Sequence, residues 1–246
     1  MTSMKISFII PAYNEEGTIT SCVKSIKAEL AHTPVAAEII VVNNASTDKT
    51  REIASHIEAV RVVEEAKKGL PFARQAGFQA SSGDLIANID ADTMLTRGWI
   101  ETALKEFSGS DIVALSGPYV YHDLPLRGRL LIRIFDGIGF LFYLFNHYVR
   151  GVDGMVCGGN LVIRRNVLEK MGGFDTSVEF WGEDVVTMHR LEQFGAVKWN
   201  WKFRVLASGR RFMAEGIIRR NVRDVLNYFT IKLRGTPRTF EYEDVR

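Results

Sequence analysis

The chain has 246 residues, 46% hydrophobic and 24% charged, with 31 Lys plus Arg against 29 Asp plus Glu. That length buries enough surface to fold without a disulfide or structural metal, and the average composition excludes disordered, collagenous and coiled-coil chains. A net charge of +2 lacks the basic excess of a dedicated nucleic-acid binder, so no nucleic-acid partner is expected, and two cysteines, Cys22 and Cys157, fit a reducing, cytoplasmic setting.

In chain order, the first ten residues carry too short an apolar run for a secretory leader. Residues 6–10 form a β-branched strand that Pro11 is expected to end, and residues 39–42 form a second, ended by Asn43-Asn44. Residues 60–63 and 85–89 make the third and fourth, the last stopped by Asp90-Ala-Asp92. Helical patterns fill the gaps over 18–30, 47–56 and 71–81, with Thr47 or Asp48 as an N-cap and Pro71 in a first turn. This alternation predicts an α/β fold with a mostly parallel, Rossmann-like sheet flanked by helices. Further on, 112–121 reads as a strand interrupted by Ser116-Gly-Pro118, and 130–149 as one or two aromatic-rich helices. Its uninterrupted apolar piece, 138–145, is too short to cross a bilayer. Cys157-Gly-Gly-Asn160 reads as a loop before a strand at 161–163, and a helix is expected after Trp181-Gly-Glu-Asp184. No repeat or linker divides the chain, which predicts a single domain.

Ligands of such sheets collect beyond the carboxyl ends of the strands. Those ends carry Pro11-Ala-Tyr-Asn-Glu15, Asn43-Asn-Ala-Ser-Thr-Asp48 and Asp90-Ala-Asp92. No glycine-rich phosphate fingerprint follows any strand, which argues against a dinucleotide oxidoreductase or a P-loop enzyme. Two carboxylates two residues apart at a strand end suit a hard divalent cation completed by waters and phosphate oxygens. The same pair also suits an ordinary turn.

From Ile9 to about Phe212 the motifs, in this order, resemble the family 2 inverting glycosyltransferases of the GT-A fold. They are Ile9-Ile-Pro-Ala-Tyr-Asn-Glu-Glu16, Val41-Val-Asn-Asn-Ala-Ser-Thr-Asp48, Gly69-Leu-Pro-Phe-Ala-Arg-Gln-Ala-Gly77, the strand leading to Asp90-Ala-Asp92, Gly172-Gly-Phe-Asp175 and Trp181-Gly-Glu-Asp184. The resemblance implies transfer of one sugar from a nucleotide-diphosphate sugar to a glycan or lipid-linked hydroxyl, with a nucleotide-sugar-binding half at 1–110 and an acceptor half at 111–212. It makes Asp92 the direct ligand of Mn²⁺ or Mg²⁺, with Asp90 nearer the ribose or a metal-bound water. Asp184 matches the family's catalytic base, and Glu183 orients it or binds a sugar hydroxyl. Pro11, Ala12, Tyr13 and Glu15 match the loop that cradles base and ribose, while Arg74, with Gly69 and Lys68 before it, matches a basic element near the phosphates. Asn43 stands where the family usually has an Asp that accepts from the base, which leaves UDP- and GDP-sugars both open. Gly159 belongs to a loop whose amides can approach a donor phosphate, and Ser208-Gly-Arg-Arg211 resembles a late arginine element. A processive-synthase QxxRW motif is missing at Leu191-Glu-Gln-Phe194, so a single addition is expected.

The stretch 210–234 holds seven Lys or Arg against Glu215 and Asp224. Within it Ile218, Val222, Val225, Phe229 and Leu233 fall at helical spacing. The extension 213–246 therefore reads as a basic amphipathic helix that either docks on the domain or lies on the cytoplasmic face of a membrane. A homodimer interface would account for the aromatic residues of 130–149 equally well. Two other functions fit parts of the pattern. A haloacid-dehalogenase-like phosphatase also uses DxD, but wants Thr where this chain has Met94. A non-catalytic nucleotide-sugar sensor would be free to lose Asp92 or Asp184, and both are present.

Overall fold

The computed structural model describes residues 4–109, 111–150, 155–178, 182–223 and 226. Trp181 and the apolar positions Val225, Phe229 and Leu233 lie outside the described residues.

Three βα units and a fourth strand come first: β1 (Ile6–Ala12), α1 (Ile19–His32), β2 (Ala37–Asn44), α2 (Thr50–Ser55), β3 (Val60–Glu65), α3 (Leu70–Ala80) and β4 (Leu85–Ile89). There follow β5 (Thr93–Leu95), α4 (Trp99–Gly109), β6 (Ala114–Ser116), β7 (Tyr119–Tyr121), α5 (Leu126–Arg150) and β8 (Asn160–Arg164). The chain continues through α6 (Arg165–Lys170), α7 (Glu183–Glu192), β9 (Val197–Trp199), β10 (Val205–Ala207) and α8 (Arg210–Glu215), then is helical again over 217–223.

Seven strands form one sheet in the order β3-β2-β1-β4-β8-β6-β9, and β5, β10 and β7 form a second. In the large sheet only β8 runs antiparallel to its neighbours. Helices cover both faces, so the central strands are apolar without alternation. On β1, Phe8 and Ile10 pack with Val23 and Ile26 of α1 and Ala103 of α4, while Ile9 joins Ala73 of α3, Leu168 of α6 and Leu191 of α7. Trp99 is fully buried, stacked on Phe203 with ring centroids 4.3 Å apart, and its indole N–H donates to Asn160 Oδ1 at 2.9 Å. Asn160 in turn donates to the Gly117 and Phe203 carbonyls, tying the start of β8 to the small sheet.

Three local expectations are corrected. Pro11 does not end β1, which runs to Ala12. Pairing with β4 stops at Ile9, so Pro11 has only β2 beside it and its missing N–H breaks no ladder there. Lys49, not Thr47 or Asp48, holds the N-cap position of α2, yet Asp48 Oδ1 accepts from the Thr50 N–H at 2.9 Å from one residue further out. The apolar run 112–121 is two strands in two sheets, because Gly117-Pro118 turns the chain from β6 to β7. The expectation of one or two helices over 130–149 is borne out as one, α5.

Candidate active site

Beyond the carboxyl ends of β1, β2 and β4 lies a cavity of about 990 Å³. Its wall contains Pro11, Ala12, Tyr13 and Glu15 from the end of β1, Gly69 and Arg74 from the start of α3, and Asp90 and Asp92 after β4. Gly159, Glu183 and Asp184 close the other side. Eleven predicted residues scattered over 174 positions of sequence thus meet in one place. Asn43 is the exception. Its amide donates to Glu64 Oε2 at 2.7 Å, its Oδ1 is buried without a partner, and the neighbouring Asn44 lines the cavity instead. Asn44 holds the loop before α3 by accepting from the Gly69 N–H at 2.8 Å and donating to the Lys67 carbonyl.

The centre of the acidic side is Arg74, buried on α3. Its guanidinium donates to Glu183 Oε1 at 2.9 Å and Asp184 Oδ1 at 3.4 Å, and stands 3.8 Å from Asp90 Oδ1. One cation therefore serves three carboxylates. Burial alone would lower the arginine's proton affinity, but Glu183, Asp184 and Asp90 together raise it, so it stays charged. Glu183 is pushed well above the usual carboxylate range, first by burial and next by the charge of Asp184, with Arg74 opposing. The two acids at the start of α7 differ in access: Asp184 has 37% of its side chain exposed and Glu183 has 12%.

The loop 157–159 enters this cluster as bare backbone. The Gly158 N–H donates to Asp184 Oδ2 at 3.0 Å, and the Gly159 N–H donates to the Tyr119 hydroxyl oxygen at 2.9 Å. A Cβ on Gly158 would lie 1.9 Å from Asp184 Oδ1, and one on Gly159 would lie 2.0 Å from the Asp90 carboxyl carbon. Only glycine permits that approach. Both amides are thus used to hold protein groups.

Tyr119 was not a sequence candidate. Its hydroxyl donates to Asp90 Oδ2 at 3.2 Å and it lines the cavity with Tyr121, two residues along β7. The alternation Tyr-Val-Tyr carried the signal, since it sets both rings on one face of a strand. Burial, then Asp90, raises the Tyr119 proton affinity, so it stays a donor.

On the basic side, β10 pairs with β5 so that Ala207 stands opposite Thr93, which carries the following turn to Asp92. Asp123 pins that turn by accepting from the Ser208 hydroxyl and the Gly209 N–H, both at 2.6 Å. Arg210 then reaches Asp92 Oδ2 at 3.0 Å and forms a closer pair with Glu15 Oε1. Arg211 and Arg220 also line the cavity. Lys68 sits over the Tyr13 ring at 3.8 Å from its centroid. His189, five residues past Asp184, faces Glu192 at 3.3 Å instead.

Asp92 is raised to about 6 by burial and then by Asp90, in spite of Arg210. Two carboxylates two residues apart at one corner of the cavity fit a hard cation that keeps waters and phosphate oxygens among its ligands. Among the described residues no group of three or more His, Cys, Asp or Glu is gathered to hold a metal by protein atoms alone.

The model of the family described as "Glycosyl transferase family 2" matches residues 7–172. Glycosyltransferase AglE of Haloferax volcanii is 30% identical over 174 residues, which cover 69% of this chain and 55% of that protein. The glucosyl-dolichyl phosphate glucuronosyltransferase of the same organism is 25% identical over 192 residues, covering 76% and 61%. The chain spans about half the length of the first of these relatives. Among solved structures, the mannosyltransferase PcManGT of Pyrobaculum calidifontis, in complex with GDP-Man and Mn²⁺, superposes with a TM-score of 0.68 at 20% identity, covering 95% of this chain and 65% of that one. Glucosyl-3-phosphoglycerate synthase of Mycobacterium tuberculosis, in complex with Mn²⁺, UDP and glucosyl-3-phosphoglycerate, gives 0.59 at 20% identity, covering 96% and 82%. These two share the fold.

Proposed function

The chain belongs to glycosyl transferase family 2, and from that premise we propose that it moves one sugar from a nucleoside-diphosphate sugar to an acceptor hydroxyl, with inversion at the anomeric carbon. The observation that carries this reading is the access difference at the start of α7. Asp184 is open to the cavity and held at both oxygens, by Arg74 and by the Gly158 amide, whereas Glu183 is buried beneath the same guanidinium. A fixed, half-exposed carboxylate facing the cavity is what proton removal from an acceptor hydroxyl asks for.

In this reading the acceptor oxygen attacks the anomeric carbon from the side opposite the diphosphate. The new C–O bond forms as the old anomeric C–O bond breaks, the hydroxyl proton passes to Asp184, and the bonding pair leaves with the nucleoside diphosphate. Arg74 orients Asp184 by donating to its Oδ1, and Glu183 holds Arg74 from below by accepting from the same guanidinium. Tyr119 and Gly159 fix Asp90, and Arg210 with Arg211 places positive charge beside Asp92, where the departing diphosphate gains negative charge. Asp92, with Asp90, would hold a divalent cation, which supplies neutralisation of that leaving group. Solved relatives carry GDP-Man with Mn²⁺ or UDP with Mn²⁺, so both nucleotides are the donors to try.

Asp184→Asn is expected to abolish transfer, by about 10²–10⁴-fold or more in kcat, and to leave nucleotide affinity nearly intact. Asp92→Asn is expected to weaken Mn²⁺-dependent nucleotide binding as well as turnover. Single-turnover kinetics beside calorimetry separate the two. An Asp184→Asn variant that keeps more than about a tenth of wild-type kcat removes Asp184 as the base.

A further inference from the structure

Helix α5 and the helix over 217–223 lie against each other on one side of the molecule. Gly128 admits Ile217, since a Cβ there would be 3.1 Å from Ile217 Cδ1, and Ile132 is buried with Leu124 and Phe212 beneath them. Their outward faces are apolar. Leu126, Leu130, Ile134, Ile138 and Leu141 are 53–75% exposed, and at about 100° per residue they share one arc of roughly 120°. Met213, Ile218 and Val222, on α8 and the helix after it, are also exposed. Arg129 and Arg133 border the arc, with Arg127 and Arg219 also exposed, and Asp136 is the only acid of α5. Beyond Leu141's neighbour Phe140, whose ring meets it at 5.1 Å, stands the half-exposed Trp201.

A continuous exposed apolar face of this kind marks an interaction site. We propose that it rests on an anionic lipid bilayer, with the aliphatic arc in the headgroup boundary, the arginines on lipid phosphates and Trp201 at the interface. Charge complementarity chooses this occupant over a second copy of the chain. A self-facing contact sets the same patch against itself, so Arg129 and Arg133 would meet their own equivalents with Asp136 as the nearest compensation. Among the described residues no helix is long and apolar enough to cross a membrane, and an apolar arc edged with arginine suits a helix in the surface plane. The same segments bring Arg211 and Arg220 to the cavity wall, so the bilayer stands beside the cavity mouth. Resting on the glycosyl-transfer reading, this assigns the acceptor hydroxyl to a lipid-linked molecule presented from that surface.

The test is co-sedimentation of the full-length protein with phosphatidylglycerol-rich vesicles and, separately, pure phosphatidylcholine vesicles. Binding to the anionic vesicles at low salt, released by high salt, is expected. Arg129→Gln and Arg133→Gln should each weaken it about fivefold, and Ile134→Glu with Ile138→Glu should abolish it, with melting and GDP or UDP affinity unchanged. No sedimentation at low salt, or sedimentation indifferent to the two glutamates, overturns the proposal. So does a solution dimer that the glutamates split, which would give the face to a second copy. Vesicle binding does not use the donor, so loss of nucleotide binding alone would count against glycosyl transfer and not against the lipid surface.

Discussion

Three carboxylates around one buried guanidinium leave Glu183 short of compensation, and its folded proton affinity is raised by burial and by Asp184. The sign of its pH effect follows. An acid with a raised folded pKa contributes stability that is complete below about 4.3, its ordinary value, and lost as pH rises through the folded value. Glu183→Gln removes that loss. The variant should therefore gain on the wild type in urea midpoint as pH rises from the acid side to neutrality, and two curves that stay parallel would contradict the assignment. A second residue-scale expectation concerns Gly159. The added methyl of Gly159→Ala meets the Asp90 carboxyl group at 2.0 Å, so Asp90 must move. Misplacement by about 1 Å costs on the order of a hundredfold in rate, and kcat/KM should fall by about that much while far-ultraviolet circular dichroism stays unchanged.

At the scale of elements, α3 joins scaffold to site, since Arg74 and Gly77 lie one turn apart on it. A Cβ at Gly77 would approach Ile9 Cγ2 of β1 to 2.3 Å. Gly77→Ala should push α3 from the sheet, cost about 1–3 kcal/mol in denaturant unfolding, and lower turnover by displacing Arg74. An unchanged midpoint would show that α3 can shift freely. The first four strands and the helices between them were legible because each is a local apolar run with its own punctuation. Pro11, Asp90 and Asp92 were legible as candidates for the cavity wall for the same reason, standing where such runs end. The interruption at Ser116-Gly-Pro118 was legible too, but the division of 112–121 between two sheets was not, since it depends on partners such as Phe203 and Ala207, far along the chain. Tyr119 was missed with it. Asn43 and Asn44 are adjacent and chemically identical, and only the pleat of β2, which turns successive side chains to opposite faces, decides that Asn44 meets the cavity.

For the molecule as a whole, nucleotide binding should appear as stability. A ligand that binds only the folded state at a hundredfold over its Kd contributes about 2.7 kcal/mol, roughly 5–10 °C in Tm at this chain length. GDP or UDP with Mn²⁺ should give such a shift, and Asp92→Asn should lose the part that depends on Mn²⁺. A Tm indifferent to every nucleotide, with and without Mn²⁺, would contradict donor binding.

Strand β8 reverses direction within an otherwise parallel sheet, so its beginning, not its end, lies at the edge where the cavity opens. The peptide that leads into it is consequently fed between Asp90 and Asp184 from behind, touching one carboxylate through Gly159 and the other through Gly158. This stretch of main chain is a shim one peptide thick, and its width sets the separation of Asp90 and Asp184. A shift of either acid towards the shim presses on it, and through it on the other. Substitutions on the two sides will therefore not add as independent losses, and any change in what this cavity accepts beside one acid has to proceed around a wall that the other acid shares.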